Sequence, residues 1–191
     1  AQAKKWVKKY FGEIKRGPNH PDPKPQPATL SDTKKAYHED NFAKSPQITM
    51  AFPTVDQGHF DAGALELLSQ LLGDGKKAPL YKVIVEEQKL APSVSAYSNT
   101  QEIAGTINIV STGFPTTNLT DLENAIHEAF ARFESDGFTT EDLDRLKAKY
   151  ETGFYQGISS VLSKGFQLAI YNEYYGSPDA IATELQKVLD V

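Results

Sequence analysis

The spacing of apolar residues changes period several times along the chain, and each change marks an element. Residues 1–11 set Trp6, Val7, Tyr10 and Phe11 on one stripe among lysines, which predicts an amphipathic helix ended by Gly12 and Gly17. Pro18, Pro21, Pro23, Pro25 and Pro27 follow, a composition that makes an extended, semi-rigid connector. A first strand is weakly marked within 31–40. A second is clear, because Ile48, Met50 and Phe52 alternate with Gln47, Thr49 and Ala51 until Pro53 stops them.

The rest of the chain is organised around 61–97. Over 61–72, Ala64, Leu65, Leu67, Leu68, Leu71 and Leu72 recur at helical spacing, and Glu66, Ser69 and Gln70 fill the other face. Gly73 and Gly75 are expected to stop this helix, since glycine takes positive φ cheaply past a helix end. Pro79 suits the first turn of a second helix, Pro92 ends it, and 93–97 alternates as a half-buried strand. A short polar connection over 98–105 makes that strand a hairpin with 106–112.

Helices fill the remainder. Leu119, Leu122, Ile126, Ala129, Phe130 and Phe133 mark one that ends at Gly137. Thr139 with Asp142 forms a capping-box pattern, with Phe138 and Leu143 as its hydrophobic staple, and Leu143, Leu146 and Tyr150 continue the stripe until Gly153 and Gly157 interrupt it. An aromatic-rich helix follows over 161–175. Ser177, Pro178 and Asp179 open a last one carrying Ile181, Leu185, Val188 and Leu189. Phe154, Tyr155, Phe166, Tyr171, Tyr174 and Tyr175 read as core side chains, not as a cofactor box. About four strands with the longest helices last is no regular βαβα alternation. The expected class is therefore α+β: a two-layer sandwich with helices on one face of a mainly antiparallel sheet.

Composition narrows the partners. The 191 residues suit one domain, or one domain plus a piece of another, and 39% hydrophobic with 24% charged residues is ordinary for a globular chain. A net charge of −5 argues against a phosphate-backbone binder, so no nucleic-acid partner is expected, and the lysines of 1–11 read as a solvated face. No apolar run approaches the roughly 18 residues that span a bilayer. With no cysteine there is no disulfide framework, thiolate metal site or cysteine nucleophile.

Candidate chemistry is sparse. His20, His38, His59 and His127 include no pair at the spacing that grips zinc from one helix face. His59 reads as a helix-start residue, and His127 with Glu128 as solvated helix surface. The run 73–77 follows a helix and lacks phosphate-loop spacing, so it reads as a turn. Glu86 with Glu87 has nothing nearby to tune it, Glu141 with Asp142 has capping work, and Asn118, although in a glycosylation pattern, reads as a helix start.

The segment DAGALELLSQLLGDGKKAPLYKVIVEEQKLAPSVSAY, then GTINIVSTG and FTTEDLDRLKAKY, resembles the second, non-catalytic domain of pitrilysin/insulinase-type zinc metallopeptidases. That group includes the mitochondrial processing peptidases and many bacterial zinc proteases. WVKKYFGEIKRGP resembles the last helix of the domain before it, so the resemblance covers nearly the whole chain and implies a division at 1–27 and 28–191. It implies half of a clamshell that encloses peptide substrate, with zinc in a catalytic domain or subunit carrying H-x-x-E-H and no isolated activity here. Family members hold substrate with an Arg and a Tyr seven residues apart. The corresponding positions here are Val85 and Pro92, which supply no such hydrogen bonds, so no catalytic, metal or substrate-binding residue is assigned. The resemblance further implies a C-terminal helix and strand beyond LQKVLDV, and an exported, periplasmic location. The rival reading is a scaffold or assembly protein of the same fold with no peptidase role.

Overall fold

A computed structural model describes residues 2–21 and 23–191. Ala1, in the helix expected over 1–11, and Asp22, in the proline connector, lie outside the described residues. The sheet consists of β1 (Gln47–Thr54), β2 (Val94–Thr100) and β3 (Gly105–Thr112), in the order β1-β3-β2 and antiparallel throughout. Met50 and Ala96 both stand opposite Ile109, so the alternation of all three strands is in phase. Ile48, Met50, Ile107, Ile109, Val94 and Ala96 share one face, and helices cover it. The opposite face presents Thr49, Ala51, Ser95, Tyr97, Thr106, Asn108 and Thr112, none of them buried.

Three helical segments lie on the apolar face: α2 (Ala62–Gly73), α3 (Pro79–Tyr81) running on into a π-helical turn (Lys82–Glu87), and α4 (Leu119–Asp136). Leu80, Val83, Ile84, Ile109, Leu122 and Ile126 form the centre of this core with no exposed surface. Each such side chain contributes about 1.5–3 kcal/mol by leaving water. A smaller core of Leu67, Leu146 and Val188 joins α2 to α5 (Thr140–Gly157) and α7 (Ala180–Leu189). The α+β sandwich expected from the sequence is the observed architecture.

Several boundaries differ, each for a physical reason. No strand forms within 31–40: its apolar residues are too few to bury a face, and Tyr37 is 77% exposed. The sheet among the described residues has three strands where about four were expected. β1 runs through Pro53, which is tolerated because β1 is an edge strand. Gly73 lies inside α2, and Gly75, at φ +82°, makes the left-handed turn. The helix expected to reach Pro92 leaves at Lys89 (φ +52°), after Gln88 N–H has bonded the Val83 carbonyl at 3.0 Å in π fashion.

α5 continues through Gly153 to Gly157. Its capping box is formed, Asp142 N–H donating to Thr139 Oγ1 at 3.1 Å. Phe138 stacks on Phe133 with ring centres 6.3 Å apart, while Leu143 packs beside Leu67 and Leu146. The aromatic residues over 154–175 are not core. α6 (Val161–Tyr175) has no buried residue, and Tyr155, Phe166 and Tyr174 are exposed, because α6 lies outside the helix layer that covers the sheet. α1 (Gln2–Phe11) likewise buries nothing.

Candidate functional site

Where α2 crosses β2, its polar side does not face solvent. Ser69 is fully buried and donates its hydroxyl to the Glu66 carbonyl at 2.8 Å. Gln70 Nε2 donates to Glu66 Oε1 at 2.8 Å. Glu66, Ser69 and Gln70 form one wall of an open groove of about 610 Å³. The edge strand β2 from Val94 to Tyr97 forms a second wall, and α5 and α6 close the far side with Tyr150, Phe154 and Tyr171. This volume lies within the range of ligand clefts.

Three glycines shape the groove. A Cβ on Gly73 would collide with Ala96, so glycine lets the end of α2 approach β2. On α5, Gly153 and Gly157 have no atom within 4 Å of where a Cβ would stand. The tyrosines stay neutral well above neutrality. Burial, followed by the Glu66 and Glu184 carboxylates, raises Tyr150, and burial first pushes Tyr171 up to about 12. Tyr171 stacks on Tyr175 at 5.4 Å, whose hydroxyl donates to the Gln57 carbonyl at 3.3 Å. Lys149 Nζ pairs with Asp74 Oδ2 at 2.7 Å and ties α5 to the end of α2.

No histidine lines the groove, and among the described residues no group of three or more His, Cys, Asp or Glu side chains could hold a metal ion. His59 Nδ1 accepts from the Asp61 N–H at 3.1 Å at the start of α2, and His127 is an exposed residue of α4. Asn118 caps α4, accepting from Thr120 N–H at 2.8 Å. Val85 sits half-buried in the π-helical turn against the main core, and Pro92 is exposed just ahead of β2. Glu87 has a charge partner on α4, where Arg132 bonds Glu87 at 2.8 Å and also Glu128 one turn earlier. That contact fastens the π-helical turn to α4.

Sequence reasoning assigned Glu66, Ser69 and Gln70 to the helix's outer face and missed the groove. The available signal was their i, i+3, i+4 spacing, which places all three on one side of α2. What covers that side comes from α5, some 80 residues later, which periodicity does not report.

A family model described as the peptidase M16 inactive domain matches residues 1–150. The uncharacterized zinc protease YmxG of Bacillus subtilis is 27% identical over 159 residues, which is 83% of this chain and 37% of that protein. Among solved structures, a protease from Helicobacter pylori superimposes with a TM-score of 0.80 at 20% identity, over 100% of this chain and 46% of that one. The periplasmic protease PqqL of Escherichia coli gives 0.74 at 16% identity, over 100% of this chain and 21% of that one. The chain spans less than half the length of each of these proteins, and the two structural likenesses concern the fold alone.

Proposed function

The chain belongs to the family of the peptidase M16 inactive domain, and from that premise we propose that it is the non-catalytic half of a peptide-enclosing chamber. In this reading the catalytic zinc is held by another domain or subunit of the same family. The family match over residues 1–150 carries the reading. Among the described residues no group of three or more His, Cys, Asp or Glu side chains offers a zinc site, so the reading gives this chain no step of the hydrolysis. A sheet whose second face has no buried residue among Thr49, Ala51, Ser95, Tyr97, Thr106, Asn108 and Thr112 is a suitable inner wall for such a chamber.

Three finer points belong to the same proposal. α1 with the proline connector (1–27) is the end of a preceding domain; this is supported by Trp6, Tyr10 and Phe11, each more than half exposed. Val85 and Pro92 provide no hydrogen-bond donors toward a substrate held near the metal. A periplasmic location is supported by the likeness to PqqL.

The test is zinc content and peptide hydrolysis by the purified chain, measured after zinc addition and desalting. The expected result is substoichiometric zinc and no chelator-sensitive hydrolysis, with activity appearing only when the H-x-x-E-H-bearing partner is supplied. One tightly held zinc per chain, or hydrolysis that a chelator stops, overturns the assignment.

A further inference from the structure

We propose that the groove between α2, β2, α5 and α6 is a binding site for a small organic cation, an ammonium ion bearing apolar substituents, held between the Glu66 carboxylate and the rings of Tyr150, Phe154 and Tyr171. The proposal goes beyond the chamber reading and does not rest on it.

Charge supplies the first reason. Glu66 lines the groove half-buried, and it has no cationic partner among the described residues. Its Oε1 accepts from the neutral Gln70 amide at 2.8 Å, which leaves Oε2 with no donor among the described residues. Lys149 also lines the groove but is held by Asp74 at 2.7 Å. With Glu66, Asp74 and Lys149 as its charged residues, the lining keeps one uncompensated negative charge. A neutral ligand covering Glu66 would strip water from that charge and return nothing. An anion would be repelled by it. A cation balances it.

The rings supply the second reason. Tyr150, Phe154 and Tyr171 line the same space, each half-buried. Aromatic faces attract cations, and quaternary ammonium ions are the ligands that such clusters take up. Burial first, and then the Glu66 charge ahead of that of Glu184, raises the Tyr150 phenol, so this ring lies within reach of the carboxylate. On the far wall, Gly153 and Gly157 have no atom within 4 Å of where a Cβ would stand, which leaves room for the substituents of the ligand.

A bare metal ion suits the groove poorly. Calcium and magnesium ask for about six or more oxygen ligands. Here one carboxylate is free, and the Ser69 hydroxyl already donates to the Glu66 carbonyl. A second copy of the chain brings no cation that this groove singles out.

The experiment titrates the whole chain with benzyltrimethylammonium and follows the backbone amides by nuclear magnetic resonance. Benzyl alcohol is the uncharged aromatic control, and magnesium chloride at equal ionic strength is the inorganic one. The expected result is saturable binding whose shifts cluster within 66–73, 94–97 and 150–157, with neither control reproducing them. Glu66→Gln keeps an oxygen for the Gln70 amide and should weaken binding about threefold, as for a partly exposed ion pair. Phe154→Leu keeps apolar bulk, loses the ring and should weaken binding by a similar factor. Glu141→Gln removes a carboxylate outside the groove and should change nothing. The absence of saturable binding, shifts centred elsewhere, equal binding of benzyl alcohol, or unchanged affinity in Glu66→Gln overturns the proposal. So do groove shifts that magnesium reproduces, or that grow with protein concentration when no cation is added, which would assign the groove to a second copy.

Discussion

Gly73 of α2 is seated so close to Ala96 of β2 that a Cβ on residue 73 would stand 2.6 Å from the Ala96 Cβ and 2.7 Å from its backbone nitrogen. The helix can lie on the strand only because that side chain is missing. Gly73→Ala gains roughly 0.5–1 kcal/mol of helix propensity but forces two backbones apart, at about 1–3 kcal/mol. The expected outcome is net destabilisation, read as a lower denaturant midpoint, with faster exchange in β2. Adding Ala96→Gly should restore only part of the loss, because the nitrogen remains. A single variant as stable as the native chain would show that α2 slides freely along the sheet.

Leu146 has no exposed surface and links α5 to Leu67 of α2 and Val188 of α7. Those two contacts hold the far wall of the groove in place. Leu146→Ala should cost about 2–5 kcal/mol. Exchange should accelerate in α5 and α7 before it does in the sheet, whose core lies elsewhere. Uniform acceleration across both cores would mean that the chain unfolds as one cooperative unit.

How far the sequence carried these features depends on how local their causes are. The capping box at Thr139 and Asp142, the hairpin of β2 with β3, and the limits of α4 and α6 follow from neighbours a few residues apart, and they are where the pattern puts them. The π-helical turn was not visible, since its extra residue is a matter of how Val83 and Ile84 reach the core under α4. The aromatic residues of α6 misled for the opposite reason. Their spacing is that of a buried stripe, but Phe166 is 64% exposed because no element covers it. The groove was invisible because its walls come from α2, β2, α5 and α6.

At the start of α5, Thr139 donates both its hydroxyl, at 2.6 Å, and its N–H, at 3.4 Å, to Asp142 Oδ2. Those donors hold the Asp142 carboxyl below its ordinary 3.8. Because the folded value is depressed, the contribution is present above pH 3.8 and is lost as pH falls through the folded value. Thr139→Ala should cost about 1 kcal/mol near neutrality, and Asp142→Asn should flatten the acid limb of a plot of stability against pH. An acid limb unchanged in Asp142→Asn would transfer that dependence to other carboxylates.

Tyr171 behaves in the alkaline range as Asp142 does in the acid one, with the sign reversed. Burial on the groove wall, followed by the charges that Tyr150, Tyr175 and Glu184 would bring, raises its phenol from 10 to about 12. A phenol held neutral in the folded chain contributes stability that is fully present below pH 10 and is lost as pH rises toward 12. Tyr150 and Tyr175 are raised for the same first cause, so all three rings should ionise above the ordinary phenol value of 10 in a near-ultraviolet titration. Tyr171→Phe keeps the ring stacked on Tyr175 and removes one titrating group. It should leave thermal stability near neutrality almost unchanged and reduce the fall in melting temperature between pH 10 and 12. Identical alkaline losses in the two proteins would mean that Tyr171 is reached by water as freely in the folded chain as in the unfolded one, and that the aromatic wall of the groove is open.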